Sequence, residues 1–301
     1  MTRNIDRRRF LQTTGILAAG AAWAGLCPRP CWAAGEIKLS TPSAERLGWR
    51  VGIQIYTFRS ISFYEALPKI AALGVRHVEP GFFLKLDSQR PDLTTSEQLA
   101  PALRKEMKQR MADLGIGMPN YYADLTTDRD AAVRVFEFAK EMGTETIVAE
   151  PAPEALDIAE QLCDEYAINL GIHNHPKTPN YSYWDPANVA AVCAGRSQRI
   201  GACCDTGHWV RSGLNPIECL QKMEGRIVTF HLKDVGEWGK PEARDVPLGQ
   251  GKADYAAVLK ELRRQGFQGV MTLEYEHESP QLVEEVAECL EFVEKTAAQL
   301  G

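Results

Sequence analysis

Eight short apolar runs alternate with eight amphipathic stretches between Val51 and Ala298. The runs read as strands: Val51–Tyr56, Val75–Glu79, Ile116–Tyr121, Glu145–Glu150, Ile168–His173, Ile200–Asp205, Ile227–Leu232 and Val270–Tyr275. Their apolar character on both faces is that of strands in a covered parallel sheet. The stretches between them carry helical periodicity: Phe63–Leu73, Ser96–Leu114, Asp128–Met142, Pro153–Tyr166, Asp185–Ala194, Asn215–Met223, Asp254–Gln265 and Pro280–Ala298. Several end in Leu-Gly, Met-Gly or Gln-Gly, the mark of a left-handed C-cap. Eight such units predict an α/β fold, a single-domain (β/α)8 TIM barrel. A doubly wound open sheet would carry a glycine turn after its first strand. That position reads Thr57-Phe58-Arg59-Ser60, without glycine.

In such a barrel the chemistry lies at the carboxyl ends of the strands. All six histidines fall at or just past such an end. The ends read His77-Val78-Glu79, Glu150, His173-Asn174-His175, Asp205-Thr206-Gly207-His208, His231-Leu232-Lys233-Asp234 and Glu274-Tyr275-Glu276-His277. So much buried charge is costly unless a cation offsets it. Glu150, Asp205, His231 and Glu274 are therefore the expected metal ligands. Three carboxylates and one imidazole favour Mn²⁺, Mg²⁺ or Co²⁺, with Zn²⁺ compatible. Strand alternation puts Lys233 on the face of His231, where it would neutralise an enolate oxygen or pair with Glu274 or Asp205. His208 and His77 are candidate substrate contacts. Trp184, in the aromatic loop Tyr181-Ser182-Tyr183-Trp184, is another, its ring suiting a sugar face. Gly249-Gln250-Gly251 is a weak phosphate-loop signal with little basic charge beside it, which argues against a phosphorylated substrate.

Taken together, Ile172-His173-Asn174-His175-Pro176, Asp205-Thr206-Gly207-His208, His231-Leu232-Lys233-Asp234, Leu248-Gly249-Gln250-Gly251 and Leu273-Glu274 resemble the xylose isomerase-like TIM barrels, the sugar phosphate isomerase/epimerase superfamily. The resemblance runs from Trp49 to Thr296. It implies a metal held by Glu, Asp, His and Glu on strands five to eight. Asp205, His231 and Glu274 match the last three. The first departs, because His173-Asn174-His175 stands where many members have Glu-Asn-His, and Glu150 is the nearest replacement acid. Members acting on keto-inositols and keto-sugars share this His-rich strand.

The implied reaction removes a proton beside a sugar carbonyl, giving an enediolate. Glu150 or His173 is the expected base and Glu274 or His175 the expected acid. Isomerisation, epimerisation and elimination from a keto-sugar or keto-glycoside all follow from that intermediate. The rival reading is an exported sugar-binding protein without catalysis. Monomer and homo-oligomer both stay open.

Residues 1–33 read as an address. Arg7-Arg8-Arg9-Phe10-Leu11 resembles a twin-arginine signal, followed by a small-sided apolar stretch and the cleavage site Cys31-Trp32-Ala33. The resemblance implies the twin-arginine translocation machinery as a partner, export of a folded protein, and a periplasmic location. The stretch is too short to leave a membrane span. Residues 34–48 are expected as a linker and 49–301 as the barrel. Removing residues 1–33, with five basic residues and one acid, moves the net charge from −6 to −10. That balance argues against a nucleic-acid partner and against an apurinic-site nuclease. Six cysteines remain after Ala33, without a Cys-x-x-Cys pair, so a structural zinc site is not expected.

Overall fold

The computed structural model describes residues 39–301. The expected twin-arginine signal lies outside them. Eight parallel strands form one sheet: β1 (Trp49–Gln54), β2 (Val78–Glu79), β3 (Asn120–Tyr122), β4 (Thr146–Ala149), β5 (Asn169–His173), β6 (Ile200–Asp205), β7 (Ile227–Leu232) and β8 (Gly269–Leu273). Their spatial order is β2-β1-β8-β7-β6-β5-β4-β3. Parallel bridges His77–Gly117 and Gly81–Tyr122 then join β2 to β3, so the sheet curls into a single-domain (β/α)8 barrel. The helices cover it outside, and β4 and β6 are buried along their whole length.

The glycine stop after Met142 is present as read, and the structure adds N-terminal caps. Asp128 accepts the N–H groups of Asp130 and Ala131 at the start of the helix Arg129–Met142, and Gly143 ends it at φ +83°. Ser62 and Glu65 form a capping box on Phe63–Ala72. Each such cap contributes about 1 kcal/mol.

Three features go beyond the expected alternation. Part of the stretch expected as a linker is structured: Pro42–Arg46 is a short helix whose Ser43 and Ala44 N–H groups donate to Glu294 on the C-terminal helix. A short helix, Thr206–Arg211, follows β6 directly, because the Asp205 carboxylate accepts the His208 N–H and caps it. Two hairpins sit on the carboxyl side, Lys85–Asp87 with Arg90–Thr94 and Asp234–Val235 with Asp245–Val246.

Among the described residues all six cysteines are free and buried. No helix there is long and apolar enough to cross a membrane.

Candidate active site

Register sets the site. Asp205 pairs with His231 across β6 and β7, and Thr272 with His231 across β7 and β8. Ala149 pairs with Ile172, which puts Glu150 beside His173. These side chains, with Lys233, converge at the carboxyl end of the barrel.

His231 is fully buried between two carboxylates. Its Nε2 lies 2.8 Å from Glu79 Oε1 and its Nδ1 lies 3.1 Å from Glu274 Oε2. Glu79 is fixed in turn, accepting from Asn120 Nδ2 and Thr272 Oγ1 at 3.0 Å each. A carboxylate only accepts, so both ring nitrogens donate here, Nε2 to Glu79 and Nδ1 to Glu274, and a cation bound at Nδ1 would displace that second proton. His173 repeats the pattern. Its Nδ1 lies 3.3 Å from Glu150 Oε1, while its Nε2 is buried without a partner, 3.8 Å from Asp205 Oδ2. Burial disfavours a charge on either ring, yet Cys203 and then Glu79 and Glu274 around His231, and Asp205 and Glu150 around His173, raise both imidazoles above their ordinary range.

Lys233 supplies a cation from within the chain. Its Nζ lies 3.1 Å from Asp205 Oδ2, 3.0 Å from Glu274 Oε2 and 3.1 Å from Glu276 Oε1. Burial opposes the ammonium, but the three carboxylates hold it charged well above the usual lysine range. The same contacts keep Glu274 ionised, well below the usual carboxylate range despite burial. A Cβ on Gly207 would meet Lys233 Cγ at 2.4 Å, so this close approach needs glycine.

His208 is different. Burial first, then Lys233 and the neighbouring cations, push it well below the usual histidine range, so it is neutral. Its Nδ1 lies 3.2 Å from Arg211 Nη1 and its Nε2 lies 3.2 Å from Lys233 Nζ. Arginine always donates. Lysine does too, so both ring nitrogens face donors, and a neutral ring can accept from only one of them.

Glu150 gathers Tyr122, His173 and His175. It accepts from the Tyr122 hydroxyl, and its Oε1 lies 2.8 Å from His175 Nε2. Burial would raise this carboxyl, but its hydrogen bonds to the two imidazoles hold it well below its usual value. The His175 side chain is 44% exposed, the most open group of the cluster. Tyr181 braces this strand end, donating to the His173 carbonyl and accepting from the His175 N–H.

The donor set therefore differs from the expected one. Asp205, His231 and Glu274 converge as expected. Glu150 faces His175 and Tyr122, and His173 Nε2 faces Asp205 in its place. Donor atoms of His173, Asp205, His208 and Glu274 lie within 4.8 Å of one another, as do those of Glu150, His173 and His175. The unpartnered His173 Nε2, 3.8 Å from Asp205 Oδ2, with Nδ1 of His231 turned on Glu274, fits a divalent cation.

Two expected substrate contacts lie elsewhere. His77 precedes β2 and lines a cavity of about 380 Å³ with Arg50 and Arg76, at the amino end of the strands. Its strand-mate Glu79 reaches the site. Trp184 carries Lys177 Nζ 4.3 Å over its ring, and Tyr181 makes the contact to the histidines instead. Sequence reasoning also missed Arg211, which joins His208 to Asp245 and Glu276. The Gly249-Gln250-Gly251 turn is closed from inside. The Asp234 carboxylate accepts the N–H groups of Gly249, Gly251 and Ala253 at 2.9 to 3.0 Å.

A family model described as xylose isomerase-like TIM barrel matches residues 67–295. An inosose dehydratase of Clostridium botulinum is 33% identical over 93 residues, 25% of this chain and 30% of that protein. A 3-oxo-isoapionate decarboxylase of Pectobacterium atrosepticum is 26% identical over 186 residues, 57% of this chain and 66% of that protein. The matched segments thus span less than two thirds of these relatives' lengths. The crystal structure of an uncharacterised protein from Parabacteroides distasonis superposes with TM-score 0.66 at 31% identity, over 82% of this chain and 99% of that one.

Proposed function

The chain belongs to the xylose isomerase-like TIM barrel family, and from that premise we propose a divalent-metal-dependent carbohydrate enzyme that moves a proton beside a sugar carbonyl. The carrying observation is the inward convergence of two imidazole nitrogens and two carboxylates, each imidazole oriented by a further carboxylate behind it. His173 Nε2, Asp205, His231 Nδ1 and Glu274 would hold the ion. Two imidazoles shift the preference from Mg²⁺ toward Mn²⁺, Co²⁺ or Zn²⁺. When bound, such an ion polarises a carbonyl and acidifies the adjoining C–H.

The remaining groups divide the work. His175 is exposed, and its Nε2 is held by Glu150, which leaves Nδ1 to take the substrate proton. Glu150 stays ionised and steadies the imidazolium that forms. Lys233 is a fixed positive charge beside the site and lowers the energy of negative charge developing on substrate oxygen. Glu274 is held ionised by Lys233 and His231, which suits a ligand better than the acid expected from sequence. His175 then returns the proton, to the adjoining carbon for isomerisation or to a departing β-oxygen for elimination, whereas epimerisation requires a second acid on the opposite face of the substrate. The names of the inosose dehydratase and the 3-oxo-isoapionate decarboxylase favour a keto-sugar as substrate, and we extend this to keto-glycosides.

The experiment is solvent deuterium exchange, read by NMR, with ketohexoses, keto-inositols and 3-keto-glycosides. The metal-loaded protein is expected to exchange the α-proton and the chelated protein is not. Undiminished exchange after chelation overturns the metal role, and binding without exchange favours the exported sugar-binding reading. The working location we propose is the periplasm. Its support is the Arg7-Arg8-Arg9-Phe10-Leu11 run, and replacing Arg7, Arg8 and Arg9 by lysine is expected to block export in cell fractionation.

A further inference from the structure

Beside the His, Asp and Glu cluster lies a second chamber of about 330 Å³, a volume at the lower end of ligand pockets. Tyr56, Arg59, Arg211, Arg244, Glu276 and His277 line it. Two of these are shared with the site. Arg211 Nη1 lies 3.2 Å from His208 Nδ1, and Glu276 Oε1 lies 3.1 Å from Lys233 Nζ.

An aromatic edge runs the same way. Tyr122, whose hydroxyl donates to Glu150, has its ring centroid 6.2 Å from that of Phe83. Phe83 lies 6.0 Å from Tyr56, which lines the chamber. Phe83 is 44% exposed, one of three large apolar side chains so open among the described residues. Its neighbours Leu84 and Leu86 are the side chains of this segment that enter the core. The Arg59 guanidinium covers the Tyr56 ring at 4.8 Å and donates to the Glu276 carbonyl, fixing that wall. Arg244 and His277 face each other across the opposite rim.

The exposed Phe83 ring, set edge-on to Tyr56 and Tyr122 beside a wall of mixed donors and acceptors, fits one ligand class, a ring with C–H faces and a periphery of hydroxyls. A lone anion would meet Glu276, Asp245 and Glu242 beside the arginines. We propose that this chamber is a subsite for a second sugar ring, so that the substrate is a disaccharide. This rests on the carbohydrate reading above, with the reacting ring at the His, Asp and Glu cluster and the second ring along Phe83 and Tyr56.

The test compares the metal-loaded full chain with 3-keto-glucose and with the 3-keto derivatives of cellobiose and maltose. Affinity is read by calorimetry and α-proton exchange by NMR. A keto-disaccharide is expected to bind about tenfold tighter than the keto-monosaccharide. Phe83→Ala and Arg244→Ala, both at exposed positions, are expected to abolish that margin and leave monosaccharide affinity and exchange unchanged. Equal affinity for the two sugars, or a margin that survives both substitutions, overturns the subsite. Exchange without a disaccharide margin keeps the reaction and removes the subsite. A Phe83-dependent margin without exchange keeps the subsite and removes the reaction.

Discussion

His231 Nε2 lies 2.8 Å from Glu79 Oε1, both side chains fully buried, and this contact decides which way the imidazole faces. With Nε2 donating to Glu79, Nδ1 is turned on Glu274. A Glu79→Gln variant can offer an amide N–H in place of the acceptor and release the ring. Metal affinity is expected to fall by about 10–100-fold, read by competition with a chelating dye. Glu79→Leu would also strand Asn120 and Thr272 and is expected to unfold at lower urea. Unchanged metal affinity in Glu79→Gln would show that the ring is held by other means.

Lys233 bears on stability as well as chemistry. Its ammonium offsets Asp205, Glu274 and Glu276 in a dry setting. Lys233→Met removes the cation and leaves the carboxylates, a loss expected to cost about 3–5 kcal/mol in the metal-free protein. A divalent ion placed among the same oxygens restores part of it. Urea unfolding is therefore expected to show a larger stabilisation by Mn²⁺ in the variant than in the wild type. An equal metal effect in both would separate Lys233 from the ion's charge environment.

The barrel, and Asp205, His231 and Glu274, were legible because strand periodicity and strand ends are local properties of the chain. What was not legible depends on stagger between strands. Glu150 and His173 are neighbours across β4 and β5, and register alone decides that His173 Nε2 faces Asp205 while Glu150 stands behind it. His77 and Glu79 share a strand face, yet one rung separates the closed lower end of the barrel from its mouth. Arg211 stayed hidden because Thr206–Arg211 is a single short helix without apolar periodicity, set by the Asp205 cap. Lys233 was read as pairing with Glu274 or Asp205, and the structure adds Glu276 as a third partner.

His77 gives a pH signature away from the site. Burial first, and then Arg50, lower its pKa from the usual 6.5. The unfolded chain therefore takes up this proton at a higher pH than the folded one. The resulting stability is present above about pH 6.5 and is lost as pH falls toward the lower folded value. His77→Gln is expected to flatten the fall in Tm between pH 7 and pH 5, and to leave α-proton exchange at pH 7.5 intact. A parallel Tm profile in the variant would assign the acid sensitivity to other groups.

Cysteine burial bears on how this chain is made. Cys163, Cys193, Cys203, Cys204, Cys219 and Cys289 are all free, and each is at most 2% exposed. Burial pushes the thiols of Cys163, Cys203, Cys219 and Cys289 up to about 12, so almost no thiolate exists at neutral pH. Reaction with a thiol reagent then requires unfolding. Six thiols are expected to stay silent in the native barrel and to react together in denaturant. A chain threaded unfolded into an oxidising compartment would expose all six before they are covered. Refolding under a glutathione disulfide buffer is accordingly expected to trap mixed disulfides and lower the yield. Refolding in reductant is expected to give the native barrel, which then resists the same oxidant. That contrast matches export of an already folded protein, and an equal yield under both conditions would remove the thiols as a reason for that route.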